Sequence, residues 1–366
     1  MDVCKDMKRL LSIWIALGLM VAGAVWAQTQ PAAPFQTPAV PGVSGPGNPL
    51  ADRSPVYALQ IQPNGTAIAN GLLAPFKPLL DLRLRHTSIT LAPDRFYYMT
   101  GTGGENALDH NDGIELWRSP DLVKWEYLGL IWSIENDGTW QKEWRVHYNH
   151  PVRTIWAPRL QYIKGNFYIS YCMPPGDRGL LKSTSGKPQG PYVNAIAGDG
   201  KFPIEMYASL FQDDDDKVYL VYDGGWIGLL NDDLSGMVGV PRKPALSDPD
   251  QDPTHHNASC ALRRDCLDIG NENAFLFKRD GKYYLSVADT YEGRYSSMVA
   301  ISDTIYGPYH TRHEAVPCGG GGTYFRDKAG RWWETFWGND PQAPWTEMPG
   351  IIRLAFNADG TIHPAK

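Results

Sequence analysis

Short runs of alternating apolar and polar residues recur along the chain, and they come in pairs joined by turns. GIELWRS (113–119), SMVAISD (297–303) and GIIRLAF (350–356) have the two-residue period of half-buried strands, whereas no helical period of useful length is present. Five times, a candidate pocket position is followed eleven residues later by an aromatic or aliphatic strand residue. The pairs are His86 and Tyr97, Trp156 and Phe167, Tyr207 and Val218, Glu272 and Tyr283, and Gly321 and Trp332. The next residue is always aromatic: Tyr98, Tyr168, Tyr219, Tyr284 and Trp333. Turn segments (APDR, IKGN, DDDD, RDGK, KAGR) lie between the two ends of each pair. This is one hairpin repeated five times, with third strands and Gly-Pro or Asp-Gly turns after it. Five four-stranded units of this size predict an all-β fold, a five-bladed β-propeller.

In a propeller the first strand of each blade lines a central channel, and alternation turns one register inward. The repeat therefore predicts a ring of His86, Trp156, Tyr207, Glu272 and Gly321. It also predicts that the second-to-third strand loops and the segments between blades gather at the channel mouth. Asp109, Trp226, Asp289 and Arg294 fall in those loops, where binding groups tend to collect.

Composition narrows the function classes. Of 366 residues 12% are aromatic, with 37 Gly and 29 Pro, and the net charge is −6 without a basic block. That suits a turn-rich globular domain and argues against a nucleic-acid partner. Lys8 and Arg9 precede an apolar run from Leu10 to Trp26, and Ala27 is a plausible cleavage point. We read residues 1–27 as a signal peptide, residues 28–54 as a Pro/Gly-rich linker and residues 55–366 as the propeller. The expected location is periplasmic or secreted, with no membrane attachment after cleavage. Export permits a Cys260–Cys266 disulfide, while Cys172 and Cys318 read as buried free thiols. The Asp248–Cys260 insert with His255 and His256 matches no metal-ligand spacing.

WAPRLQYIKGNFYISY, SLFQDDDDKVYLVY, ENAFLFKRDGKYYL and two GPY turns resemble glycoside hydrolase family 43 over roughly residues 80 to 360. The resemblance implies five-bladed propellers that hydrolyse glycosidic bonds with inversion, using an Asp base, an Asp that tunes the acid, and a Glu acid. Inversion needs the acid and base roughly 6.5–9.5 Å apart. On the matching positions, Glu272 keeps the acid. His86 replaces the base, Tyr207 replaces the tuning Asp, and Gly321 stands where many members have a His near a bound ion. The implied partner is an oligosaccharide or polysaccharide of plant or algal origin. No cofactor is expected; a structural calcium is not indicated by any ligand pattern.

Each ring residue has more than one reading. Glu272, among aromatic walls, is partly desolvated, which suits a general acid. His86 could take a proton from water or bind the ligand. Trp156, Tyr207 and Trp226 could hold a sugar ring. Asp109 or Asp289 could replace the lost base. Arg294 could read a uronate carboxylate through a bidentate contact, or simply pair with Glu292. The leading expectation is an exported, exo-acting glycoside hydrolase. A non-catalytic carbohydrate-binding propeller and a lyase acting on uronic-acid glycans are the alternatives.

Overall fold

A computed structural model describes residues 77–104, 106–202, 207–247 and 267–365. Twenty of the strands in it form five four-stranded antiparallel sheets, each in sequence order from the inside outward. Blade 1 holds β1 (Arg85–Leu91), β2 (Tyr97–Thr102), β3 (Gly113–Ser119) and β4 (Glu126–Ser133). A one-turn helix, α1 (Ile134–Asp137), and a small hairpin, β5 (Arg145–His147) with β6 (His150–Val152), follow. Blade 2 holds β7 (Trp156–Ile163), β8 (Asn166–Met173), β9 (Asp177–Ser183) and β10 (Tyr192–Asn194). Blade 3 holds β11 (Ala208–Gln212), β12 (Val218–Tyr222), β13 (Trp226–Leu230) and β14 (Met237–Arg242). Blade 4 holds β15 (Glu272–Arg279), β16 (Lys282–Tyr291), β17 (Arg294–Ser302) and β18 (His310–Val316). Blade 5 holds β19 (Tyr324–Arg326), β20 (Trp332–Phe336), β21 (Gly350–Phe356) and β22 (Ile362–Pro364). The five-bladed propeller expected from the repeat is the fold.

Burial grades across each blade. The second strands β2, β8 and β12 are almost wholly buried, because neighbouring blades cover both their faces. Their sequences are accordingly near-continuous apolar runs such as VYLVY rather than alternating ones. The outermost strands β4 and β14 are largely exposed. First strands of adjoining blades meet around the axis: β1 with β7 and β19, and β11 with β7 and β15.

The hairpin turns come in two lengths. Blades 2 and 4 close with two residues, Lys164-Gly165 and Asp280-Gly281, all left-handed, as the twist of paired strands favours. Blades 1, 3 and 5 close with three residues inside the pairs Ala92–Phe96, Asp213–Lys217 and Asp327–Arg331, with one left-handed residue at Arg95, Asp216 and Gly330. A fixed spacing of eleven therefore slips by one in blades 2 and 4. The residues that share a register are His86, Ala157, Tyr207, Asn273 and Gly321. All five have left-handed φ, between 47° and 83°, at or just before a first strand. In blades 1, 2 and 4 a register shift in the ladder marks the place as a bulge. Trp156 and Glu272 each precede this residue by one, so the expected ring of equivalent positions is corrected there.

The ring is closed by blade 1 on blade 5. Leu84 N–H donates to Glu347 O at 2.8 Å, Thr335 Oγ1 to Thr87 O at 2.7 Å, and Arg83 and Arg85 both pair with the Glu347 carboxylate. Blade 5 takes its fourth strand from β22; residues 56–61, a sequence candidate for a closing strand, lie outside the described residues. So do the signal, the linker, His255, His256, Cys260 and Cys266. Cys172 and Cys318 are buried free thiols.

Between blades 4 and 5 lies a buried hydroxyl cluster. Ser286 Oγ, Ser297 Oγ and Tyr324 OH are mutually 3.0–3.1 Å apart. Glu334, fully buried on β20 and paired with Tyr324 in the ladder, completes it. Burial raises the Glu334 carboxyl to about 8. Neither of its oxygens makes a well-formed hydrogen bond, although the Ser297 and Tyr324 hydroxyls draw the value back in part.

Candidate active site

The bulges re-aim the side chains at the channel end of the first strands. His86 is 3% exposed; its Nδ1 lies 3.0 Å from Thr102 Oγ1, which also accepts the Ala157 N–H at 2.8 Å. Its ring is 5.1 Å from that of Tyr207 and 4.7 Å from that of Trp337. Burial first, then the charges of Arg85 and Arg159, hold the His86 pKa well below its ordinary value. The imidazole is therefore neutral at neutral pH.

Glu272 opens β15 and is half-buried. It accepts a hydrogen bond from Tyr295 OH at 2.7 Å. Desolvation raises its pKa, the Tyr295 bond lowers it, and the nearby charge of Asp223 raises it again. Tyr295 is fixed from behind: its backbone N–H donates to Asp340 Oδ2 at 2.5 Å, and its ring occupies the space where Gly320 would carry a Cβ. Any side chain at 320 would displace the phenol from Glu272. Asp223 lies at the blade 3–blade 4 junction, where its N–H donates to Tyr207 O and its carbonyl accepts from Ala274 N–H.

Trp156 and Tyr207 are both 7% exposed and pack with Ala157 and Cys172 into one small cluster on the channel wall. The Trp156 indole N–H donates to Leu108 O at 3.2 Å, which seats the loop carrying Asp109 against this wall. Asp109 itself is half-buried, with its main chain bonded to Asn106 and Arg153. Trp226 stacks on Tyr222 at 6.4 Å and packs on the blade 2–blade 3 core.

Two sequence candidates differ from expectation. β16 and β17 pair as far as Tyr291 and Arg294, so the loop between them is only Glu292-Gly293. Asp289 is therefore a strand residue, fully buried and paired with Arg312 at 2.9 Å. A carboxylate so placed has no access to a catalytic water. Arg294, 7% exposed, is held by Glu292 at 2.9 Å and by Glu314 at 3.0 Å, leaving no free fork for a uronate. The Glu292–Arg294 pair is present, but on a buried arginine at the start of β17 rather than in a solvated loop.

Sequence reasoning missed three residues of the site, Arg85, Tyr295 and Trp337, and placed Asp223 on a pocket-side loop without giving it a role. Arg85 precedes the left-handed His86 as Glu272 precedes Asn273, and its guanidinium lies 4.9 Å over the Trp337 ring. Correct hairpin lengths would have exposed that equivalence. No local signal points to Tyr295 or Trp337, which reach the channel from blades 4 and 5.

The fold and this walled, acid-bearing channel define a five-bladed propeller of the glycosidase type. A crystal structure of a family 43 protein from Bacillus licheniformis superimposes with a TM-score of 0.59 at 22% identity, covering 79% of this chain and 57% of that one. Residues 76–362 match glycosyl hydrolases family 43, and the chain belongs to that family. A candidate β-xylosidase of Xylanibacter ruminicola is 28% identical over 206 residues, covering 56% of this chain and 35% of the relative. A β-D-galactofuranosidase of Aspergillus niger is 25% identical over 217 residues, covering 55% and 56%. The chain thus spans about a third to about half of the curated relatives it matches.

Proposed function

We propose that this protein is a glycoside hydrolase that cleaves an O-glycosidic bond in a plant or algal glycan, with Glu272 as general acid. The observation that carries this reading is the state of Glu272: a half-buried residue at the channel, its carboxyl oriented by Tyr295 and kept above its ordinary pKa by desolvation and Asp223. Such a group holds a proton to give to a leaving oxygen. His86, neutral and beside the same channel, is the acceptor for the proton of water. Trp156 and Tyr207 supply apolar faces for the sugar.

The pH profile of kcat/KM tests the pair. Activity requires Glu272 protonated, so it falls as pH rises through a pKa above the usual carboxyl value. It requires His86 neutral, so it falls on the acid side only well below the usual imidazole value. The optimum is mildly acidic. Asp223→Asn removes a like charge beside Glu272 and moves the alkaline limb to lower pH with the acid limb unmoved. His86→Ala lowers kcat by about 10²-fold or more. If Asp109→Asn does this instead, the water is activated from the loop.

One observation favours a second reading, a binding propeller without turnover: His86 is 3% exposed and its Nδ1 is engaged by Thr102. Mass spectrometry of a panel of plant and algal oligosaccharides separates the two. Product with water gained supports hydrolysis, and binding without product supports the second reading. On either reading the chain is exported, which sequencing the mature N-terminus would check.

A further inference from the structure

Blade 5 contributes the run Gly319-Gly320-Gly321-Gly322 to the channel. Gly321 has φ 83°, and a Cβ there would stand 3.2 Å from Asn273 Nδ2 and 3.3 Å from Trp337 Nε1, its two nearest neighbours. The Asn273 amide orientation is fixed, because Arg159, which only donates, bonds Asn273 Oδ1 at 3.2 Å. Nδ2 therefore faces Gly321, donating also toward Tyr295 OH at 3.3 Å. Trp337 is 1% exposed and its indole N–H has no partner among the described residues. An orphan donor this deeply buried costs about 1–3 kcal/mol, so its retention calls for an acceptor.

The surroundings specify that acceptor. Two guanidinium groups back the two donors: Arg159 through Asn273, and Arg85 stacked on Trp337. Both have a buried Nε with no partner among the described residues. Of the carboxylates around Tyr295, Glu272 Oε1 accepts its hydroxyl and Asp340 Oδ2 its backbone N–H. A cation would need oxygen ligands; Asn273 Oδ1 faces the Arg159 guanidinium, whose charge repels a cation, and Gly321 presents no side chain. The residues do not fit the bound metal ion that the family resemblance implies, and among the described residues no group of three His, Cys, Asp or Glu could hold one. A halide accepts from both N–H groups and needs no acceptor of its own, whereas a water would also need acceptors for its two protons. The burial of Trp337 and Asn273 excludes a sugar at the Gly321 floor.

We propose that the channel floor at Gly321 binds a small monovalent anion, chloride or its like, through Trp337 Nε1 and Asn273 Nδ2. The inference goes beyond the hydrolytic reading and does not depend on turnover. Two measurements test it. Crystals grown in sodium bromide give an anomalous peak within hydrogen-bond reach of both nitrogens. Thermal melting in sodium chloride exceeds that in sodium gluconate at equal ionic strength by roughly 2–4 °C at well-saturating salt. Trp337→Phe, which keeps the ring and removes the donor, abolishes that difference. If the variant does not fold, the bromide peak in the wild type stands as the test. No bromide at Gly321, equal melting in the two sodium salts, or stabilisation by calcium that a chelator reverses would each overturn the proposal.

Discussion

Glu272→Gln is expected to lower kcat on natural glycans by about 10²–10⁴-fold while leaving ligand affinity nearly unchanged. The amide matches the carboxyl in shape and can still accept from Tyr295 OH through its oxygen, so the fold and the channel wall persist. What is lost is the proton. A leaving group that departs without protonation, such as an activated aryl glycoside, should therefore retain far more of its rate than an alkyl or sugar leaving group. The alkaline limb of the pH profile should vanish together with the activity. Steady-state kinetics on matched aryl and sugar substrates, with affinity read by calorimetry, checks all three points. Equal losses on both substrate types would mean that residue 272 positions the ligand rather than donating to it.

Glu334→Gln is expected to stabilise the protein, and increasingly so as pH rises. In the fold this carboxyl titrates at about 8, against an unfolded reference of 4.5. Between those values the unfolded chain has released a proton that the folded chain still holds, so stability falls as pH rises across this window. Gln is already neutral and removes that slope. At pH 7 the gain is roughly 2–4 kcal/mol, and near pH 4 it is close to zero. Denaturant melts of both proteins at pH 4, 6 and 8 measure it. Parallel wild-type and variant curves would show that Glu334 ionises inside the fold without penalty, contrary to its burial against Ser297 and Tyr324.

How far the chain could be read from its sequence depended on distance. The hairpin repeat is local, and it gave the fold, because a turn and its two flanking strands are contiguous. The ring residues His86, Tyr207 and Gly321 followed from the same repeat. In blades 2 and 4 the count slipped, because Lys164-Gly165 and Asp280-Gly281 turn in two residues where the other blades use three. The loop reading of Asp289 failed for a related reason: β16 and β17 extend to Tyr291 and Arg294, so Asp289 is a strand residue whose carboxylate meets Arg312. The partners that set the chemistry of Glu272 and His86 are the least legible. Tyr295, Asp223, Arg85 and Trp337 meet only after the blades have packed, and no spacing rule spans that.

The joint between blades 1 and 5 also sets when the channel comes into existence. Arg85 and Glu347, which meet there, are separated by 262 positions in the chain, and Thr87 and Thr335 by 248. Contacts of such span are slow to form and come late. Early blades can fold as they emerge, but His86 lacks Trp337 beside it until the last blade docks. During synthesis the growing chain thus carries hairpins without a pocket, and any capacity to hold a ligand arrives abruptly, once blade 5 has been made, rather than by increments.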